Sequence, residues 1–252
     1  MANPRSFEWF HRLGSPQGFY RMTTPWLPWL AAAALGLLAV GTVWGLGFAP
    51  QDAKQGNSFR IIYIHVPAAF LALAGYYVMA VAGAVGLVWK MKLSYMVMKA
   101  AAPLGAALTL VSLVTGALWG KPTWGTYWVW DARITSMLVL FFLYLGVIAL
   151  HHAYSNGEAA SKAAAVLALV GTANIPIIYK SVDWWYTLHQ PATIKLTEAP
   201  SMHPDMFQPL VVMIGGFYCL YALVLILATR VEVLHRERRT RWVRDLVMGG
   251  AD

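Results

Sequence analysis

The placement of charge along the chain constrains its fold more than any other feature. Reading for runs of roughly 20 apolar residues finds six segments, near 27–49, 61–89, 100–119, 134–150, 163–179 and 207–229, and none holds an Asp, Glu, Lys or Arg. One such charge at mid-bilayer costs about 2.5–3.5 kcal/mol. Backbone polar groups in lipid must pair within their own segment, so the spanning element is a helix. The expected fold class is therefore all-α, a polytopic membrane protein with six transmembrane helices. Composition agrees, with 59% apolar and 12% charged residues against about 25% charged in soluble domains. The first run is longer than a signal-peptide core, so the first helix is expected to be retained. The single cysteine, Cys219, lies inside the sixth run and reads as a small buried apolar residue.

Six spans put both termini on one side. That side carries Arg5, Arg12, Arg21, Lys90, Lys92, Lys99, Lys162 and the tail arginines 230, 236, 238, 239, 241 and 244, 13 cations in all. The other side has six: Lys54, Arg60, Lys121, Arg133, Lys180 and Lys195. The positive-inside rule makes the first side cytoplasmic, and a bacterial inner membrane is the expected location. The net charge of +8 reads as a topology signal, with the lipid bilayer rather than nucleic acid as its partner. The chain reads as one membrane domain, 1–252, with outer loops at 119–133 and 180–206 and a basic cytoplasmic tail at 230–252.

The outer loops hold the unusual chemistry. Trp119, Trp124, Trp128 and Trp130 fall within twelve positions, followed by Asp131 and Arg133, and the third outer loop adds Trp184 and Trp185. An aromatic belt needs one or two rings per helix end. This cluster is richer, and reads as a platform for a large flat apolar ligand. Gly120 and Gly125 are expected to let rings approach the backbone. Asp131 sits where it would cap the fourth helix through the N–H of residue 133 or 134. Arg133 suits a carboxylate partner, either Asp131 or a ligand's acid group. A phosphate-loop reading of 116–122 fails on spacing and on Pro122, so any ATP-driven step belongs to a partner.

Of seven histidines, His11, His151, His152 and His235 fall near inner helix ends, and His203 in an outer loop. His65 and His189 fall on the outer side, in segments flanking the tryptophan loop. Asp183 is expected to cap a short surface helix in which Trp185 and His189 share a face. Neutral imidazole is a common axial ligand of haem iron, and two imidazoles over an aromatic floor match a bis-histidine haem site.

The run WGTYWVWDARITS resembles the signature of the haem-handling WWD family. SFRIIYIHVPAA, LVTGALWGKPTWG and SVDWWYTLHQP are similar to its CcmC (haem exporter protein C) branch. The resemblance implies an outer WWD domain flanked by two axial histidines, here His65 and His189. It puts the signature on Trp119, Trp124, Trp128, Trp130, Asp131 and Arg133. Trp184 and Trp185 extend the platform, and Arg60 or Arg133 would neutralise a propionate. It implies haem b as transient cargo, attached to the periplasmic chaperone CcmE during c-type cytochrome biogenesis. The implied partners are the ATPase CcmA and the membrane subunits CcmB and CcmD, in an ABC-type complex. No carboxylate pair or nucleophile–base arrangement points to an enzyme. Two other readings are a membrane b-type cytochrome and a haem permease. Helices 1, 3, 5 and 6 lack histidine, against the first. Few interior polar residues (Thr109, Ser112, Thr115 and Asn174 beside Pro176, itself a candidate kink) argue against the second.

Overall fold

A computed structural model describes residues 14–189 and 200–248. His11, Arg5, Arg12, Lys195, most of the 180–206 loop's second half and the last four residues of the tail lie outside the described residues. Six helical stretches among the described residues are long and apolar enough to cross a membrane: Pro16–Phe48, Asn57–Trp89, Lys92–Trp124, Ala132–Ala153, Gly157–Trp184 and Pro204–Arg236. The chain is a multi-pass membrane protein, and no strand occurs among the described residues.

The first stretch joins α1 (Pro16–Thr23), a 3₁₀ turn, α2 (Leu27–Thr42) and a π-helical turn at Val43–Phe48. The second is α3 (Ile62–Trp89) and the third α4 (Lys92–Trp124), joined by a two-residue turn. The fourth is α5 (Ala132–Ala153). The fifth is broken into α6 (Gly157–Gly171) and α7 (Asn174–Trp184), and the sixth is α8 (Pro204–Arg236), followed by α9 (Arg241–Met248). The sequence placed the kink of the fifth span at Pro176, whereas the break falls at residues 172–173. Pro176 is the third residue of α7, where its missing N–H is one a helix start does not use.

Small residues let the helices close on one another. Alanines 101, 102, 164, 165 and 168 are buried in the core that α3, α4, α5 and α6 share. Gly105 of α4 lies under the Tyr144 ring of α5, with no room for a Cβ. Tyr144 donates to the Ala72 carbonyl at 2.8 Å and meets Tyr76 edge-on at 5.0 Å between centroids. A second cluster, around Phe59, Tyr63, Leu210 and Met213, ties α2 and α3 to α8. Leu35, Phe142 and Val170 are exposed, as expected of faces turned to lipid tails. The buried Arg230 of α8 anchors α1, donating to Thr24 Oγ1 at 3.0 Å with its guanidinium 3.7 Å from the Tyr20 ring centroid.

Two expectations from the sequence are corrected. The third helix does not end at Trp119 but runs to Trp124, because Pro122 forgoes a single backbone bond and Gly125 supplies the left-handed cap at φ 80°. Trp119 and Trp124 therefore stand on a helix, and the irregular segment is 125–131. No surface helix begins at Asp183. That residue lies in the last turn of α7, its carboxylate 3.0 Å from Lys180 Nζ. Trp185 then turns extended at φ −131°, ψ 156°, so Trp185 and His189 share no helical face.

Candidate functional site

A cavity of about 490 Å³ opens where α3, α4, α5 and α7 converge, and both His65 and His189 line it. That volume is within the range of small-molecule sites, roughly 300–1,000 Å³. Trp119, Trp124, Trp128, Tyr127 and Tyr179 supply aromatic wall. Ala69, Phe70, Leu73, Leu113 and Met137 make the deeper part apolar. Leu73 stands two turns below His65 on α3, so the cavity reaches about 12 Å along that helix.

Each imidazole is held by one nitrogen. His65 Nδ1 lies 3.0 Å from Thr115 Oγ1. The Thr115 hydroxyl donates to the Val111 carbonyl at 2.6 Å, so toward His65 its oxygen accepts. That assigns the proton to Nδ1 and leaves the Nε2 lone pair free. His189 Nδ1 lies 2.8 Å from Asp131 Oδ2. An ionised carboxylate only accepts, so here too Nδ1 carries the proton and Nε2 is free. Carboxylate-pinned imidazoles of this kind are what metal-ligating histidines ordinarily have behind them.

Asp131 is shared three ways. Its Oδ1 accepts from the Ile134 N–H at 2.8 Å and caps α5, as the sequence indicated. Its Oδ2 takes His189 and the Thr187 hydroxyl, while Thr187 Oγ1 accepts from the His189 N–H at 3.1 Å. Burial alone would raise the Asp131 carboxyl, but the Ile134 N–H, Thr187 and His189 outweigh it and hold it below its ordinary value. Burial lowers His189 below the usual histidine value; Asp131 opposes this, and the Arg133 charge adds to the lowering. His189 is thus neutral at pH 7, the form that ligates iron.

The tryptophans divide. Trp119 donates from Nε1 to Gln55 Oε1 at 2.6 Å and meets His65 edge-on, centroids 5.7 Å apart. The Trp124 ring lies 4.7 Å from His189. Trp128 lines the cavity with a buried Nε1 that has no hydrogen-bond partner among the described residues. Trp130, Trp184 and Trp185 do not line it. Trp130 is 75% exposed and packs on Trp128, and Trp184 and Trp185 pack on each other. The charges divide too. Arg133 lines the cavity and makes no ion pair or side-chain hydrogen bond among the described residues. Arg60 does not line it: its guanidinium donates to the Leu46 and Ala49 carbonyls, both at 2.8 Å, and closes the π-helical turn.

Gln55, Thr115 and Thr187 are site residues that the sequence did not single out. Only Thr187 carried a local signal, standing two residues before His189 where a hydroxyl commonly caps the backbone. The glycine that lies against the His65 ring is Gly116, whose added Cβ would sit 3.1 Å from His65 Cε1. If haem binds here, as the sequence implies, Gly116→Val is expected to tilt the ring off Thr115 and weaken that binding by about tenfold, the scale of losing an outer-shell partner. A haem titration by absorbance checks this, and unchanged affinity would remove Gly116 from the site.

Among the described residues no three His, Cys, Asp or Glu gather as a protein-only metal site would require. Two free imidazole nitrogens on a cavity with aromatic and apolar walls suit iron whose other four ligands come from a porphyrin. The unpaired Arg133 guanidinium and the Trp128 N–H suit its acid groups.

Comparison with known proteins gives a family. The profile of the family described as CcmC, Heme exporter protein C, matches residues 9–244. The chain is 49% identical over 238 residues to "Heme exporter protein C" of Escherichia coli (strain K12), covering 94% of this chain and 96% of that one. It is 47% identical over 240 residues to the protein of that name from Haemophilus influenzae, covering 95% and 98%. For the Paracoccus denitrificans protein the identity is 39% over 232 residues, covering 92% and 96%.

Proposed function

The chain belongs to the haem exporter protein C (CcmC) family, and from that premise we propose that it holds haem b as transient cargo and delivers it to a periplasmic haem chaperone, CcmE, for c-type cytochrome biogenesis. The observation that carries this reading is the pairing of His65 and His189 on one cavity, each held through Nδ1 and with no side-chain partner on Nε2 among the described residues. His65 and His189 ligate the iron. Trp119, Trp124 and Trp128 wall the porphyrin, and Arg133 neutralises a propionate. Trp130, Trp184 and Trp185, exposed beside the opening, form the rim that the chaperone meets.

In this reading the cavity faces the periplasm, the termini lie in the cytoplasm, and the membrane is the inner one. CcmA, CcmB and CcmD are the partners of an ABC-type complex. The chain itself positions cargo and is not an enzyme. Its interior polar groups favour positioning over conduction: Thr109 donates to the Gly105 carbonyl and Asn174 to that of Ser136.

The test is spectral. Purified protein titrated with haem is expected to give a six-coordinate, low-spin spectrum. Protonation of His189 competes with iron, and burial holds its pKa below the ordinary histidine value. Half of the affinity should therefore be lost only below about pH 6.5, where an unperturbed histidine is half protonated. A five-coordinate spectrum throughout, or half the affinity already lost by pH 6.5, would contradict the assignment.

A further inference from the structure

A second cavity, of about 840 Å³, opens at the other end of the bundle, where α3 and α8 finish and α4 and α6 begin. Along α4 the two linings are separated by the stretch from Lys99 to Ser112, about 20 Å at 1.5 Å per residue. Seven lysines and arginines line it against three glutamates. Three of the cations are engaged: Lys99 at 2.9 Å and Arg236 at 2.5 Å from Glu232, and Lys162 at 2.7 Å from Glu158. The other four, Lys90, Lys92, Arg238 and Arg239, pair with no carboxylate among the described residues. Beneath them the lining turns apolar at Leu87, Tyr95 and Met96. The cavity is thus a cationic rim over a greasy floor.

Its depth in the membrane is marked by α9. That helix buries Val243 and sets Trp242 against the cluster of Leu93, Met96 and Val233, leaving Leu246, Val247 and Met248 exposed. A short helix with basic residues and an exposed apolar edge lies in the headgroup layer. Lys90 adds a separate observation. It is the C-cap of α3 at φ 55°, the one non-glycine residue with positive φ among the described residues. Glycine is the usual residue at such a cap because it bears no Cβ. Lysine is strained there, yet puts an ammonium on the cavity.

We propose that this cavity seats the phosphate of an anionic phospholipid headgroup, with the acyl chains running down the adjacent apolar surface. Basic pockets between spanning helices take phosphate-bearing headgroups in this way. The proposal does not depend on the haem reading.

The test is native mass spectrometry of the detergent-solubilised full chain with phosphatidylglycerol, phosphatidylcholine or inorganic phosphate added. Phosphatidylglycerol is expected to be retained about tenfold over phosphatidylcholine, and inorganic phosphate at the same concentration not to displace it. Lys92→Gln with Arg238→Gln and Arg239→Gln should remove that preference. Lys90→Gly should reduce phosphatidylglycerol retention about fivefold while the melting temperature holds or rises, since the strained cap is relieved. That variant separates a lost site from a lost fold. Equal retention of both lipids, Lys90→Gly protein that binds like the parent, or displacement by inorganic phosphate would each overturn the proposal.

Discussion

Replacing His65 and His189 together by alanine is expected to abolish the low-spin haem spectrum. The loss of affinity should exceed the 10–100-fold typical of removing an outer-shell partner, because both axial ligands go. The bundle should survive. Thr115 keeps its bond to the Val111 carbonyl, and Asp131 keeps the Ile134 N–H and Thr187. The single changes are informative separately. Each should leave a five-coordinate iron that free imidazole restores to low spin. If the double variant still binds haem in the parent's low-spin state, the ligands lie elsewhere.

The second large effect falls on Asp131. Its two oxygens serve different masters, Oδ1 the helix cap and Oδ2 the imidazole. Asparagine has one oxygen. With that oxygen on the Ile134 N–H, where asparagine caps nearly as well as aspartate, the amide NH₂ faces His189 Nδ1. The imidazole must then accept at Nδ1 and carry its proton on Nε2, the nitrogen needed for iron. The same tautomer error disables a serine-protease triad when its aspartate becomes asparagine. Asp131→Asn should therefore cost haem affinity 10–100-fold with little change in melting temperature. Asp131→Ala should lose the same affinity and also about 1 kcal/mol of cap stability. Titration by absorbance, paired with thermal unfolding of the haem-free protein, reads both. An asparagine variant that binds haem as the parent does would mean His189 does not need its carboxylate.

The six spans were legible because each is free of charge over its apolar run, a pattern few other structures permit. The Asp131 cap was legible because capping depends on residues three apart. What the sequence hid was tertiary. Gln55 and Thr115 reach Trp119 and His65 from distant or ordinary positions, and nothing local distinguishes them from other polar residues near a helix. The platform was over-read for a related reason. Six tryptophans looked alike as a list, but Trp119, Trp124 and Trp128 line the cavity, while Trp130, Trp184 and Trp185 are exposed outside it. Asp183 was misread because an acidic residue beside a lysine three positions earlier stabilises the helix it already occupies.

The two pins behind the imidazoles differ in kind, a hydroxyl for His65 and a carboxylate for His189. A carboxylate pulls harder on an N–H and makes the opposite nitrogen the richer electron donor. A metal shared between the rings would sit in an asymmetric field, bonded more firmly toward the extramembrane strap than toward the long helix. Under the proposed ligation, detachment would then have a preferred order, with the helix-borne bond parting first.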